Sequence, residues 1–120
     1  MPFSAAREKW YEMTNDLLEL MRERIAIGLE REKTQEALEG WERKALLTLK
    51  EGAQYHFLVA DGTIQVKEGP IDNPDMRIEA SEETIRKLFM EEMGATTAIL
   101  KRKLKVKGST SDLMKLKHIF

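Results

Sequence analysis

The run from Ala98 to Gly108, Ala-Ile-Leu-Lys-Arg-Lys-Leu-Lys-Val-Lys-Gly, constrains the chain more than any other stretch, because lysine recurs at every second position from Lys101 to Lys107. Successive side chains of a strand face opposite sides of a sheet. Lys101, Lys103, Lys105 and Lys107 therefore share a solvated cationic face, and Arg102, Leu104 and Val106 share the opposite, mostly apolar one. The segment before it is apolar at helical spacing through Met90, Met93, Ala95, Ala98, Ile99 and Leu100. After it, Ser109-Thr110-Ser111-Asp112 opens a further helix carrying Leu113, Met114, Leu116 and Ile119. Two apolar helices thus flank one half-buried strand.

Upstream, the apolar period changes once. Ser4 caps a long N-terminal helix with the stripe Trp10, Met13, Leu17 and Leu20, beside a second stripe of Tyr11, Leu18, Met21 and Ile25. That face is wider than packing on one core requires, so the helix is either simply well buried or also touches a second copy of the chain. Gly28 weakens or ends it, and Thr34 to Glu39 form a short turn of helix closed by Gly40. From Trp41 the period becomes two: Ala45, Leu47 and Leu49 predict a first strand, Tyr55, Phe57 and Val59 a second, and Ile64 and Val66 a third. Asp61-Gly62 joins the second and third in a tight hairpin, since both residues tolerate positive φ. Met76, Ile78 and Ala80 give a fourth strand after the loop from Gly69 to Pro74, and Ser81 caps a helix holding Ile85, Leu88 and Phe89 inward. The expected organisation is one domain over residues 1–120. Residues 1–40 are helical, and residues 41–120 form the sheet and the C-terminal helices.

Composition narrows the function. With 42% hydrophobic and 34% charged residues the chain has enough apolar content to offset its ordering entropy. Its apolar runs are too short to span a bilayer and its start lacks a signal-peptide pattern, so the sequence reads as cytoplasmic. The net charge of -1 conceals an asymmetry. Residues 1–100 carry 13 basic and 20 acidic side chains, net -7, and residues 101–120 carry 7 basic side chains against Asp112, net +6. The basic end either guards an edge strand or attracts anionic lipid headgroups or the phosphates of an acyl-coenzyme A. It lacks the interleaved aromatics of a nucleic-acid surface, so nucleic acid is not an expected partner.

The Lys-Leu-Lys-Val-Lys-Gly run, with Asp75, the helix start at Ser81, Ala98 and the amphipathic helix after Gly108, is similar to the sterol carrier protein type 2 family of small lipid-binding domains. The resemblance runs from about Trp41 to the C-terminus. The family often has Gly where Arg102 stands, Asp where Ser109 stands and Gly near Glu91. The resemblance implies an α+β fold: a five-stranded, largely antiparallel sheet covered on one face by helices that enclose an apolar tunnel. It also implies the wall of that tunnel, namely Phe57, Leu88, Phe89, Met90, Met93, Ile99, Leu104, Val106, Met114 and Phe120. Arg102 shares the inward face of the last strand and, since a buried unpaired guanidinium is costly, is expected at the tunnel mouth against a carboxylate or phosphate head.

Chemistry other than binding finds no support in the residues. His56 and His118 are isolated from any serine or acid motif and from each other, cysteine is absent, and no phosphate-binding loop occurs. The expectation is a non-catalytic carrier without cofactor or metal, holding a fatty acid, fatty acyl-coenzyme A or sterol-like ligand. It would contact anionic membrane surfaces through Lys101, Lys103, Lys105 and Lys107 and dimerise through the N-terminal helix. The rival is a protein-interaction module whose core is filled by its own side chains.

Overall fold

The computed structural model describes the backbone of residues 17–119 and the side chains of residues 17–115. Ser4, Trp10, Tyr11, Met13 and Phe120 lie outside the described residues, as do the side chains of Leu116, His118 and Ile119. Helix α1 (residues 17–29) and α2 (Glu32–Leu38) precede β1 (Arg43–Leu49), β2 (Gln54–Ala60), β3 (Thr63–Glu68) and β4 (Met76–Ala80). Helices α3 (Glu82–Phe89) and α4 (Ala95–Leu100), strand β5 (Leu104–Lys107) and helix α5 (Thr110–Ile119) follow. The strands form one five-stranded sheet in the order β3-β2-β1-β4-β5. Pairing is antiparallel except between β1 and β4, so the meander expected of the first three strands is present and the sheet is mixed.

Alternation sets which face is covered. Ala45, Leu47 and Leu49 of β1, Tyr55, Phe57 and Val59 of β2, Met76 and Ala80 of β4 and Leu104 of β5 are all buried. They join Leu17 and Met21 of α1 and Ile85, Leu88 and Phe89 of α3 in one core. The opposite face carries exposed Arg77 and Glu79, which pair in register with Lys107 and Lys105. Two side-chain anchors hold α1 across the core: Arg22 donates to the Val66 carbonyl of β3 at 3.3 and 3.2 Å, and Arg24 donates to the Phe89 carbonyl of α3 at 2.9 Å. The parallel pairing begins with a reciprocal clasp, since Lys44 N–H donates to the Asp75 carboxylate and Asp75 N–H to the Lys44 carbonyl, both at 2.8 Å.

Strand β5 is shorter than its sequence alternation suggests. Helix α4 ends at Leu100, and Arg102 takes φ 58°. Lys103 N–H then reaches back to the Ala98 carbonyl at 2.8 Å and Arg102 N–H to the Ile99 carbonyl at 3.0 Å. This bond pair is the Schellman ending of a helix, with Arg102 at the left-handed position that glycine normally fills. The same pattern closes α3: Glu91 has φ 61°, with Glu92 N–H bonded to the Lys87 carbonyl and Glu91 N–H to that of Leu88. Lys101, Arg102 and Lys103 therefore belong to a helix cap, and only Lys105 and Lys107 stand on the strand. The run ends in Gly108 because a Cβ there would sit 2.9 Å from Met76 Cγ.

Candidate functional site

Between the covered face of the sheet and the helices lies an apolar cavity of about 130 Å³. The sheet contributes Ala45, Leu47, Phe57, Val59, Ile64, Met76, Ile78, Leu104 and Val106; Ile85, Leu88 and Phe89 close it from α3, Ala95 and Ile99 from α4, and Leu113 from α5. The rings of Phe57 and Phe89 stack across it, with centroids 6.4 Å apart and 11° between planes. An enclosed apolar cavity of about 150 Å³ admits a molecule the size of benzene, so this one has the size for a hydrocarbon fragment.

Four lining residues are also exposed: Ile27, Ile99, Arg31 and Glu91. The cavity consequently opens between the end of α1 and the α3–α4 connection. Three charges rim that mouth. The Glu91 carboxylate lies 2.9 Å from the Arg31 guanidinium and 3.7 Å from that of Arg24. The hydrogen bond from Arg31, its charge and the charge of Arg24 hold the Glu91 carboxyl below the usual carboxylate range. A cationic pair already engaged by a carboxylate thus stands over an apolar interior.

Another part of the cavity wall is fixed by a buried polar cluster. Asp112, in the first turn of α5, is 4% exposed and accepts from Trp41 Nε1 at 2.9 Å and from Arg43 Nε at 3.0 and 3.1 Å. Burial pushes its carboxyl up, but the hydrogen bonds from Trp41, Arg43 and Ser109 and the Arg43 charge outweigh burial and set it below its ordinary value. Ser109 Oγ accepts from Asp112 N–H at 3.2 Å, the N-cap role that an aspartate would also fill. Lys115 lies 5.3 Å from the centre of the Trp41 ring and donates to the Ala37 carbonyl. Trp41 and Leu113, both in the cavity wall, are positioned by this cluster.

Of the residues expected to line a tunnel, Phe57, Leu88, Phe89, Ile99, Leu104 and Val106 converge on the cavity. Met93 packs against the core beside it. Met90 follows the buried face of α3 by one residue, which rotates it out to 45% exposure, and Met114 on α5 is 60% exposed. Arg102 is turned out to solvent by its left-handed cap geometry and does not reach the mouth. The charged rim went unread because its members are far apart in sequence. The available signal was Arg24, Gly28 and Arg31 at steps of four and three beside apolar Ile25 and Ile27.

His56 has a structural role, with Nδ1 2.9 Å from the Gly69 carbonyl. Among the described residues no group of three or more His, Asp or Glu side chains is placed to hold a metal ion, and no helix is long and apolar enough to cross a membrane.

Residues 23–120 match the model of the SCP-2 sterol transfer family, and the chain belongs to that family. No curated protein matches the chain in sequence. Among solved structures, it is similar to apo sterol carrier protein 2 from Yarrowia lipolytica (18% identity, TM-score 0.55, 84% of each chain). It is also similar to palmitated SCP2L2 from Aedes aegypti, at 15% identity and TM-score 0.59, over 84% of this chain and 91% of that one. The same fold occurs in the stereoselective inverting sec-alkylsulfatase Pisa1 from Pseudomonas sp., at 12% identity and TM-score 0.61 over 72% of this chain. There it spans only 14% of the larger protein. Family and fold together mark the chain as a lipid-binding and lipid-transfer domain.

Proposed function

We propose that the chain binds and carries a single-chain amphiphile with an anionic head, of the fatty acid or fatty acyl class. The apolar chain packs against Phe57, Leu88, Phe89, Ile99, Leu104 and Val106, and the head takes the place of the Glu91 carboxylate on Arg31 and Arg24. The observation that carries this reading is the juxtaposition of an unfilled apolar cavity with a rim on which a carboxylate already rests against two guanidiniums. The palmitated relative supports an acyl chain as occupant.

Magnitudes bear on the ligand. A benzene-sized space takes about six carbons, worth roughly 5 kcal/mol at about 0.8 kcal/mol per methylene. That corresponds to an affinity of about 0.1–1 mM before any cost of association. Micromolar binding needs about ten buried methylenes, so a long chain has to widen the cavity beyond its present volume.

The test is titration with a long-chain fatty acid and the alcohol of the same length. The protein is expected to prefer the acid, Arg31→Ala to lose about three- to tenfold in acid affinity with little change for the alcohol, and Glu91→Gln to bind the acid more tightly. If neither amphiphile binds, carriage is wrong. If both bind and Arg31→Ala leaves their ratio unchanged, only the head-group assignment is wrong.

A further inference from the structure

At the lip of the cavity, helix α4 ends in an unusual surface. Leu100 is 78% exposed and Ile99 beside it 46% exposed, whereas Ile85, Leu88 and Phe89 of α3 are buried and Met90, at the end of that helix, is 45% exposed. Lys101, Arg102 and Lys103 follow immediately, all exposed, and the Schellman bonds to Ala98 and Ile99 fold them back over the helix end. An apolar knuckle is thereby collared by three consecutive cations. Ile99 is a cavity-lining residue and Ile27, 43% exposed, lines the same mouth from α1, so the knuckle and the entrance are one continuous surface. The acidic member of the rim, Glu91, is paired with Arg31 and Arg24.

We propose that this tip, Ile99 to Lys103 with Ile27, docks the protein on an anionic lipid bilayer, with Leu100 entering the headgroup boundary and the cations meeting lipid phosphates, so that the cavity mouth faces the source of its ligand. The inference rests on the carriage reading only for its purpose; the surface itself is argued from exposure and charge. The occupant follows from charge complementarity. A lipid surface offers both a hydrocarbon layer for Leu100 and Ile99 and a negative potential for Lys101, Arg102 and Lys103, and each cation near such a surface contributes about fivefold in binding. The left-handed cap matters because it keeps Lys101, Arg102 and Lys103 around the helix end rather than on the strand. Lys105 and Lys107 face the outer side of the sheet opposite Glu79 and Arg77 and are not part of the tip.

The full chain is sedimented with vesicles of phosphatidylcholine alone and with about one third phosphatidylglycerol, while fatty acid affinity is measured separately in solution. Binding is expected to the anionic vesicles only and to weaken with added salt. Leu100→Glu is expected to lose tenfold or more, and Lys101→Glu with Lys103→Glu at least as much. Both variants should keep wild-type urea midpoints and fatty acid affinity, since these side chains are exposed and outside the cavity. Wild-type protein that ignores anionic vesicles, or a Leu100→Glu protein that binds them as well as wild type, overturns the proposal. If wild type instead sediments as a dimer that Leu100→Glu dissociates, a second copy covers the tip and the bilayer assignment is wrong. Loss of vesicle binding together with fatty acid binding would trace to the cavity and refute a separate tip.

Discussion

Replacing Asp112 with alanine tests how the wall of the cavity is held. The carboxylate is 4% exposed and receives one hydrogen bond from Trp41, itself 5% exposed, and two contacts from Arg43, whose side chain is 37% exposed. Without Asp112 the Trp41 N–H is left buried and unpaired, at a cost of about 1–3 kcal/mol. Arg43 regains water, so its share is held to about 1 kcal/mol rather than the full penalty of a broken buried pair. Loss of a negative charge in the first turn of α5 adds about 0.3–1 kcal/mol. The sum is about 2–5 kcal/mol. With a urea slope of about 2 kcal/mol/M, the unfolding midpoint should fall by roughly 1–2.5 M. Because the double variant with Trp41→Phe no longer strands a donor, it should lose less than the sum of the single changes. A drop under about 0.5 kcal/mol in Asp112→Ala, or strict additivity with Trp41→Phe, would refute the argument.

The same carboxylate sets a pH dependence. Its pKa is depressed in the folded protein, so its contribution is complete above the unfolded value near 3.9 and is lost as pH falls through the folded value; Asp112→Asn should flatten that acid limb of a stability profile. Arg102→Gly should raise stability by up to about 1 kcal/mol, the relief of a left-handed side chain less the entropy glycine gains when unfolded, read as a higher thermal midpoint. Gly108→Val should cost about 1–3 kcal/mol in urea unfolding, since the new Cβ would lie 2.9 Å from the Cγ of buried Met76.

The sheet was legible because alternation survives in short windows: Ala45-Leu47-Leu49 and Tyr55-Phe57-Val59 each have only one register that buries them all. Asp61 at φ 54° and Gly62 at φ 73° form the hairpin that their types announce. Arg102 misled for a local reason. A helix cap that places lysines on both sides of a turn repeats with the period of a strand, and only the backbone bonds to Ala98 and Ile99 tell the two apart. Met90 and Met114 misled differently, because methionine was read by type and not by its angle around the helix. The charged rim was invisible because Arg24, Arg31 and Glu91 meet only after α1 folds across α3. Pairing of β1 with β4 is equally non-local, and no local pattern announces this one parallel pair in the largely antiparallel sheet.

The account turns on whether the cavity takes an acyl chain. Mass spectrometry of gently purified protein under native conditions, followed by organic extraction and then by titration of delipidated protein with a long-chain fatty acid, addresses this directly. One amphiphile per chain, recovered from the native protein or bound on titration at micromolar concentration, is the predicted result. A chain that emerges free of lipid and remains unbound by fatty acid and acyl-coenzyme A at saturating concentration would contradict it, and would mean that the space beneath the helices is a packing void.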